Sequence, residues 1–281
     1  MNSFLGSRLA EEIEKLGDIE LWKTHRCDNL ECAHEKLNTI CVDSLGNILT
    51  SVRRIPVFRT CYLLSTYYSR EVLEIPKIVG CNVTFLVNIS QNLGDKIIRF
   101  VYTNTYICLL ENYASHYAQA KNLFSVFLKE YCLINSKEFV ELFVFDVWGQ
   151  GDNRMKIVNL LQNATPNSRL KLSLGEQLLA PISVRDATLN LLEASEMKLQ
   201  EPYSSFSIRG PEWITLREID AMFCSLTGKP SNCEFGAREY NGDELFEPIN
   251  GISNPLGFYE FNTVGKILSD LIGNQVKVNS Q

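Results

Sequence analysis

Residues 97–152 read IIRFVYTNTYICLLENYASHYAQAKNLFSVFLKEYCLINSKEFVELFVFDVWGQGD. The alternation inside this stretch decides the fold. Residues 97–103 are mostly apolar, as a strand covered on both faces must be. Residues 113–132 carry apolar side chains at helical spacing, and 139–145 return to a short apolar run. A strand, a long helix and a second strand form one crossover unit, and such units pair their strands in parallel with a right-handed connection.

The same alternation extends toward the N-terminus. A helix is predicted over 3–16, where Leu5, Leu9, Ile13 and Leu16 share one face and Gly17 supplies the stop. Strands are predicted over 19–23, 37–42 and 57–64, and one long helix over 71–92. The run 57–64 is nearly unbroken in its apolar character, which predicts burial on both faces. The order fits an α/β, doubly wound parallel sheet. Beyond Trp148 the texture changes, because Pro166-Asn167, Gly175, Pro181, Gly210-Pro211 and Gly228-Lys229-Pro230 break the chain into shorter elements. Helices are predicted there over 186–199, 215–226 and 262–272. The reading is a main domain over 1–148 and a smaller C-terminal substrate lobe over 149–281, with a segment near 183–208 returning to the main domain.

Composition narrows the functional classes. The 281 residues carry 27 basic and 33 acidic side chains, a net charge of −6, without a basic block, which argues against nucleic acid as a partner. The first thirty residues include Glu11, Glu12, Glu14, Asp18 and Glu20 and lack the apolar core of a secretory signal. No stretch reads as a membrane span, so no membrane partner is expected. The 9 cysteines are odd in number and scattered, as reduced thiols in a cytoplasmic protein would be. Cys27 and Cys32 lack a second pair at zinc-site spacing, and no metal is expected.

The sharpest chemical signal is Tyr117-Ala-Gln-Ala-Lys121. On a helix, i and i+4 share a face, so both heads are expected at one cleft. An ammonium beside a phenol favours the phenolate. Such a tyrosine exchanges a proton with a carbonyl or alcohol oxygen while hydride moves at the adjacent carbon. By itself the pattern is weak, since a chain of this composition produces it by chance about once in two. Its context strengthens it. Thr105 closes the preceding strand, and a hydroxyl at the carboxyl end of a parallel strand faces the ligand crevice.

A strand ending in Thr105, then Tyr117-x-x-x-Lys121, then a strand running into Val147-Trp-Gly-Gln-Gly-Asp152 resembles the extended short-chain dehydrogenase/reductases, the NAD-dependent epimerase/dehydratase family. The resemblance continues in Ser173-Leu-Gly-Glu-Gln177 and Val184-Arg-Asp186. Within the family it is similar to reductases of CDP-4-keto-6-deoxyglucose, on the short gap from Thr105 to Tyr117, the Gly175-Glu-Gln177 turn and Glu234-Phe-Gly-Ala-Arg-Glu239. The resemblance implies a Rossmann-type fold, a nucleotide-diphosphate sugar substrate, and a place in deoxysugar and surface-polysaccharide biosynthesis. It implies that Tyr117, Lys121 and Thr105 are catalytic. A homodimer is implied too, built on the helices over 71–92 and 113–132, the first carrying Val72, Ile75, Val79, Val83 and Leu86 at helical spacing.

Cofactor contacts follow by position. Gly6 matches the last glycine of the family's dinucleotide loop, and Ser3, Phe4 and Leu5 would offer backbone amides to the pyrophosphate. The strand and the two glycines that precede it in the family have no counterpart, so the expectation is a fold whose first strand is missing and a Met1 that is an internal start. Arg26 replaces the acid usual for NAD and favours NADP. Asp43 matches an adenine contact, Leu64, Ser65 and Thr66 line the cofactor, and Lys121 reaches its ribose. On the substrate side the resemblance indicates Asp146. The usual arginines are absent near Leu179 and Phe143, which leaves Arg185, Arg209, Arg238 or Lys171 for the diphosphate. The function implied is reduction of a nucleotide-linked 4-keto-6-deoxy sugar. Epimerisation on the same fold and a non-catalytic binding role are the alternatives.

Overall fold

The computed structural model describes residues 4–26, 38–51, 54–165, 169–257 and 260–278. In chain order the helices are α1 (Phe4–Leu16), α2 (Ile75–Val79), α3 (Phe85–Leu93), α4 (His116–Ile134), α5 (Ile157–Asn163), α6 (Val184–Glu196), α7 (Leu216–Thr227) and α8 (Val264–Val278). The strands are β1 (Lys23–Arg26), β2 (Thr39–Val42), β3 (Phe58–Leu63), β4 (Ile97–Thr105), β5 (Glu138–Val144), β6 (Val147–Trp148), β7 (Leu170–Leu172), β8 (Leu178–Leu179), β9 (Ile182–Ser183), β10 (Tyr203–Ile208), β11 (Ile214–Thr215) and β12 (Cys233–Phe235). They fall into two compact units. The first holds Met1–Cys108, Ser115–Phe143 and Leu191–Phe206; the second holds Leu109–Ala114, Val144–Asn190 and Ser207–Gln281.

The first unit is built on a four-stranded sheet in the order β10-β5-β4-β3. Its β3 and β4 run parallel, with Phe58 opposite Ile97 and Leu63 opposite Tyr102. β4 is the central strand, buried from Arg99 to Thr105 as its sequence requires. One of its buried residues is charged. Arg99 bonds Glu138 at 2.7 Å and donates to the carbonyls of Ala194 and Ser195 at 3.1 and 2.7 Å. A cation on the last carbonyls of a helix satisfies acceptors that the helix leaves open. It fastens the returning segment to the sheet. The core combines Phe100 and Tyr102 of β4 with Leu86, Ile89 and Leu93 of α3 and Phe124 and Leu128 of α4.

Three sequence expectations are corrected in this unit. The first strand lies at Lys23–Arg26 rather than 19–23, all four residues exposed, and among the described residues it pairs only with β2, in a separate two-stranded parallel sheet. Ile19 is 50% exposed, so it contributes no core contact that would hold a strand there. Next, β3 is only partly buried rather than covered on both faces, because it is the edge of the four-stranded sheet. Last, the single helix read over 71–92 is a run from Val72 to Lys96 interrupted by a π-turn at Gly80–Thr84. The interruption shifts the register, so the stripe from Val72 to Leu86 is not one face: Val72 is 67% exposed and Leu86 is 1% exposed. The 25-residue run is also long and apolar enough to cross a bilayer, contrary to the sequence reading. Its second half packs in the core through Phe85, Leu86, Ile89 and Leu93, as the core helix of a globular unit does.

The second unit is assembled from short pairs: β6 with β9 and β7 with β12 in parallel, β8 with β11 antiparallel. Its core gathers Trp148, Val158, Ile219, Phe223, Val264 and Leu268. α7 begins one residue later than the sequence suggests, because Thr215 is its N-cap. The Thr215 hydroxyl accepts from the Glu218 amide, Glu218 reaches back to the Thr215 amide, and Gly228 at φ 68° ends the helix in the left-handed conformation.

Candidate active site

The candidate catalytic residues lie in the first unit, at the carboxyl end of β4 and on the first turns of α4, next to the loop after β3. α4 starts at His116, three residues later than the reading from periodicity, because Ser115 caps it by accepting from the Ala118 amide. Tyr117 therefore stands on the first turn. The Thr66 hydroxyl donates to its phenolic oxygen at 3.2 Å, and the Tyr68 ring meets it edge-on with centroids 5.1 Å apart. Both neighbours come from the loop after β3, so that loop shapes the surroundings of the phenol.

Lys121 departs from expectation. The i,i+4 spacing was expected to bring both heads to an open cleft, but Lys121 is 1% exposed. Its ammonium donates to the Thr103 carbonyl at 2.5 Å and lies 4.5 Å from the centre of the Tyr102 ring. Burial pulls its pKa from 10.5 down to about 7, against the opposing fields of Cys108 and Glu141. The helix axis runs close enough to the sheet that the second-turn residue points into the sheet while the first-turn residue stays at its rim.

Thr105 ends β4 at 6% exposure. Its amide donates to Asn104 Oδ1 at 2.8 Å, and its hydroxyl accepts weakly from Ile107 N at 3.4 Å. Cys108 ties this strand end to α4, since its thiol lies 3.4 Å from Asn104 Oδ1 and 3.3 Å from the Ala118 carbonyl. Asn104 in turn donates to Glu141 Oε1 at 2.7 Å.

Two polar residues that sequence reasoning passed over organise this site. Asn82 is fully buried inside the π-turn. Its side chain accepts the Tyr67 amide at 3.0 Å and donates to the Tyr67 carbonyl at 2.7 Å. Tyr67 lies between Thr66 and Tyr68, so this amide clamp holds the loop that touches Tyr117. Glu141 is the other, a 3% exposed carboxylate in the middle of β5. Each interrupts an otherwise apolar run, and that interruption was the available signal.

Asn82→Ala is expected to destabilise the chain by about 2–4 kcal/mol, since two backbone groups of Tyr67 lose their partner at about 1–3 kcal/mol each. Chemical denaturation reads the loss; a change below about 0.5 kcal/mol would show that the clamp is not holding the loop.

The remaining cofactor candidates are spread along the first unit. Ser3 lies outside the described residues. Phe4, Leu5 and Gly6 form the half-buried first turn of α1. Arg26 ends β1 with its guanidinium 5.0 Å from the centre of the Phe85 ring. Asp43 is engaged in its own turn, accepting from the Leu45 and Asn47 amides at 2.8 Å each and from the Asn47 side chain at 2.7 Å, which holds its pKa below the usual carboxylate value. That turn rests on α3, where Gly46 at φ 88° passes too close to the Phe85 carbonyl for any Cβ. Leu64 and Ser65 are half-buried and Thr66 is exposed.

The substrate-side candidates lie in the second unit. Asp146 pairs with Lys156 at 2.9 Å. Arg209 stacks 5.2 Å from the centre of the Trp213 ring and donates to the Gly210 carbonyl, while its buried Nε has no hydrogen-bond partner. Arg185, Arg238 and Lys171 are exposed. Among the described residues no group of three or more His, Cys, Asp or Glu is arranged to hold a metal.

The fold these elements define is that of the Rossmann-type α/β proteins, and solved structures match it along nearly the whole chain. MoeE5 in complex with UDP-glucose and NAD superposes with a TM-score of 0.77 at 14% identity, covering 99% of this chain and 97% of that one. UDP-N-acetylglucosamine 4-epimerase from Methanobrevibacter ruminantium M1, in complex with UDP-N-acetylmuramic acid, gives 0.77 at 14% identity, with 99% and 96% covered. UDP-glucuronic acid 4-epimerase from Bacillus cereus, with UDP-glucuronic acid and NAD, gives 0.76 at 15% identity, with 99% and 97% covered. No family model and no curated protein sequence matches the chain.

Proposed function

We propose that this chain is a nicotinamide-dependent oxidoreductase of the extended short-chain dehydrogenase/reductase type, acting on a hydroxyl or keto group of a nucleotide-linked sugar. The observation that carries the reading is the phenol of Tyr117 on the first turn of α4, hydrogen-bonded by Thr66 at the carboxyl end of β3, with Lys121 one turn further on. The residues fit a nicotinamide nucleotide in their chemistry. Parallel strands β3 and β4 end there, and Ser65 and Thr66 on the loop after β3 and Tyr117 on the first turn of α4 bring hydroxyls that are exposed or half-buried. When bound, the dinucleotide supplies or accepts hydride at the sugar carbon.

The protein's own part is protonic and positional. Tyr117 accepts a hydrogen bond from Thr66, and its phenol would give a proton to a sugar carbonyl oxygen as alkoxide charge develops. Lys121, when charged, favours the phenolate that results. Thr105, fixed by Asn104, holds the reacting oxygen toward Tyr117. Among versions of this chemistry we favour reduction of a 4-keto-6-deoxy sugar with NADPH, on the sequence resemblance. The second reading is epimerisation, in which the cofactor is returned unchanged; the solved UDP-sugar 4-epimerases of the same fold favour it. Incubating the protein with NADPH and CDP-, dTDP- and UDP-linked 4-keto sugars, and in parallel with oxidised cofactor and the corresponding 4-hydroxy sugars, separates them. Stoichiometric loss of NADPH absorbance supports the reductase, and inversion at C4 without net cofactor consumption supports the epimerase.

Arg26 at the end of β1 is expected to favour NADPH over NADH by meeting the 2′-phosphate. Arg26→Asp is expected to invert the preference, measured by cofactor titration; equal affinities in the parent chain would remove Arg26 from the site. A homodimer is also part of this proposal. α2 packs beside α4; the turn that leads into α2 exposes Val72 and Leu73, and α4 exposes Leu123, Val126, Leu133 and Ile134, each more than half accessible. A second copy of the same face would cover this apolar surface. Light scattering at micromolar concentration is expected to give twice the 32.0 kDa chain mass, and a monomer mass would exclude the dimer.

A further inference from the structure

Glu141 sits in the middle of β5, 3% exposed, with three neutral donors directed at it. Asn104 Nδ2 lies 2.7 Å and Ser125 Oγ 2.5 Å from Oε1, and Tyr203 OH lies 2.6 Å from Oε2. These donors arrive from β4, α4 and β10, so one carboxylate joins three elements of the first unit. An amide nitrogen can only donate, which fixes the orientation of Asn104 and directs its Oδ1 to the Thr105 amide. A buried carboxylate needs this density of donors to be tolerated. A fold seeking stability alone would place an apolar side chain there.

What the carboxylate faces explains its presence. Lys121 is buried in the same layer, and its ammonium is bonded to the Thr103 carbonyl of the strand that carries Asn104. Ser125, one turn after Lys121 on the same face of α4, bonds Glu141 Oε1, which sets the carboxylate along that face; the groups that bear on the Lys121 ammonium are the Cys108 thiol from the turn after β4, the Glu141 carboxylate on β5 and the Tyr102 ring on β4. Of these side-chain types only a carboxylate is ordinarily an anion at neutral pH, since thiols and phenols are ordinarily neutral there.

We propose that Glu141 is a positioning residue for the active site: through Asn104 it fixes the end of β4 at Thr105, and its negative charge keeps Lys121 protonated inside the sheet layer. The proposal rests on the oxidoreductase reading for its meaning, since a charged Lys121 is what favours the Tyr117 phenolate. Its physical content stands apart from that reading and is tested apart from it. The opposing charge acts through a medium of low effective dielectric, where one elementary charge several ångströms away changes a proton affinity by about tenfold or more.

The test uses the full chain with ¹³Cε-labelled lysine, in which the Lys121 resonance is assigned by its loss in Lys121→Met. Its titration midpoint is followed in the parent and in Glu141→Gln. The expected result is a midpoint at least one pH unit lower in Glu141→Gln, a tenfold loss in proton affinity. Should that variant not fold, Glu141→Gln with Tyr203→Phe, which removes the hydroxyl left facing the amide, is titrated in its place. Ser125→Ala retains the charge and is expected to leave the midpoint within about 0.3 of the parent. An unchanged midpoint in the glutamine variants overturns the proposal, as does an equal displacement in Ser125→Ala. A purely structural role would change unfolding midpoints without moving this resonance. Failure of the parent to bind any dinucleotide would count against the oxidoreductase reading and leave the lysine titration intact.

Discussion

Tyr117→Phe is expected to lose about 10²–10⁴-fold in turnover while dinucleotide affinity stays within a few-fold of the parent, the usual worth of a positioned general acid. The substitution removes one oxygen from a half-buried ring and leaves the edge-on contact with Tyr68 in place. The partner it deserts, the Thr66 hydroxyl, is on an exposed residue that water can satisfy, so the fold is not expected to suffer. Loss of rate without loss of stability or affinity is therefore specific to proton transfer. Thr66→Val provides the comparison: it keeps the Tyr117 hydroxyl, removes its donor, and is expected to lower turnover by about tenfold at most. A phenylalanine variant that turns over at the parent rate would assign the acid to another residue.

The second large effect concerns stability. Lys121 is buried, and its pKa falls from 10.5 to about 7 chiefly through desolvation. An unfolded lysine keeps its proton up to about pH 10.5, whereas the folded one keeps it only to about 7. Between those values the unfolded chain binds more protons, so stability rises as pH rises through this window. Below pH 7 the whole penalty of burying the ammonium is present, about 5 kcal/mol at about 1.4 kcal/mol per pH unit. Lys121→Met removes the penalty and also the charged donor to the Thr103 carbonyl, which offsets about 1–2 kcal/mol of the gain. The variant is expected to be more stable than the parent by about 2–4 kcal/mol at pH 6, with the difference shrinking toward pH 10, and to be catalytically impaired. Urea denaturation at several pH values measures both the gain and its decay. A variant less stable than the parent at pH 6 would mean that Lys121 is solvated in the folded chain.

Much of this architecture was legible in the sequence, for reasons visible residue by residue. α1, β4, α4 and β5 have strong periodicity or continuous apolar runs because they face the core, and their positions follow from that pattern. β1 was misplaced because it has no core face to print a pattern, every residue of it being exposed. The orientation of Lys121 was not legible either. Spacing along a helix tells which residues are neighbours, but not how closely the helix lies on the sheet. Tyr117, Lys121 and Thr105 were singled out because their types are chemically distinctive. Asn82 and Glu141 were passed over because their types are common, although an amide between Cys81 and Val83 and a carboxylate between Val140 and Leu142 interrupt apolar runs, conflicts that a fold retains for a reason.

The π-turn at Gly80–Thr84 bears on how this chain tolerates changes in length. Such a turn accommodates one residue more than an α-helical path over the same distance. Everything beyond it is rotated by about 100° relative to an uninterrupted helix, since each α-helical residue turns by that angle. Deleting any one residue between 80 and 84 would restore regular backbone bonding and strengthen the helix as a helix. It would also swing Asn82 off Tyr67 or turn Phe85, Leu86 and Ile89 out of the core. This segment is thus a place where a locally favourable deletion is globally destructive, and where an alignment that slides by one residue exchanges the buried face for the exposed one.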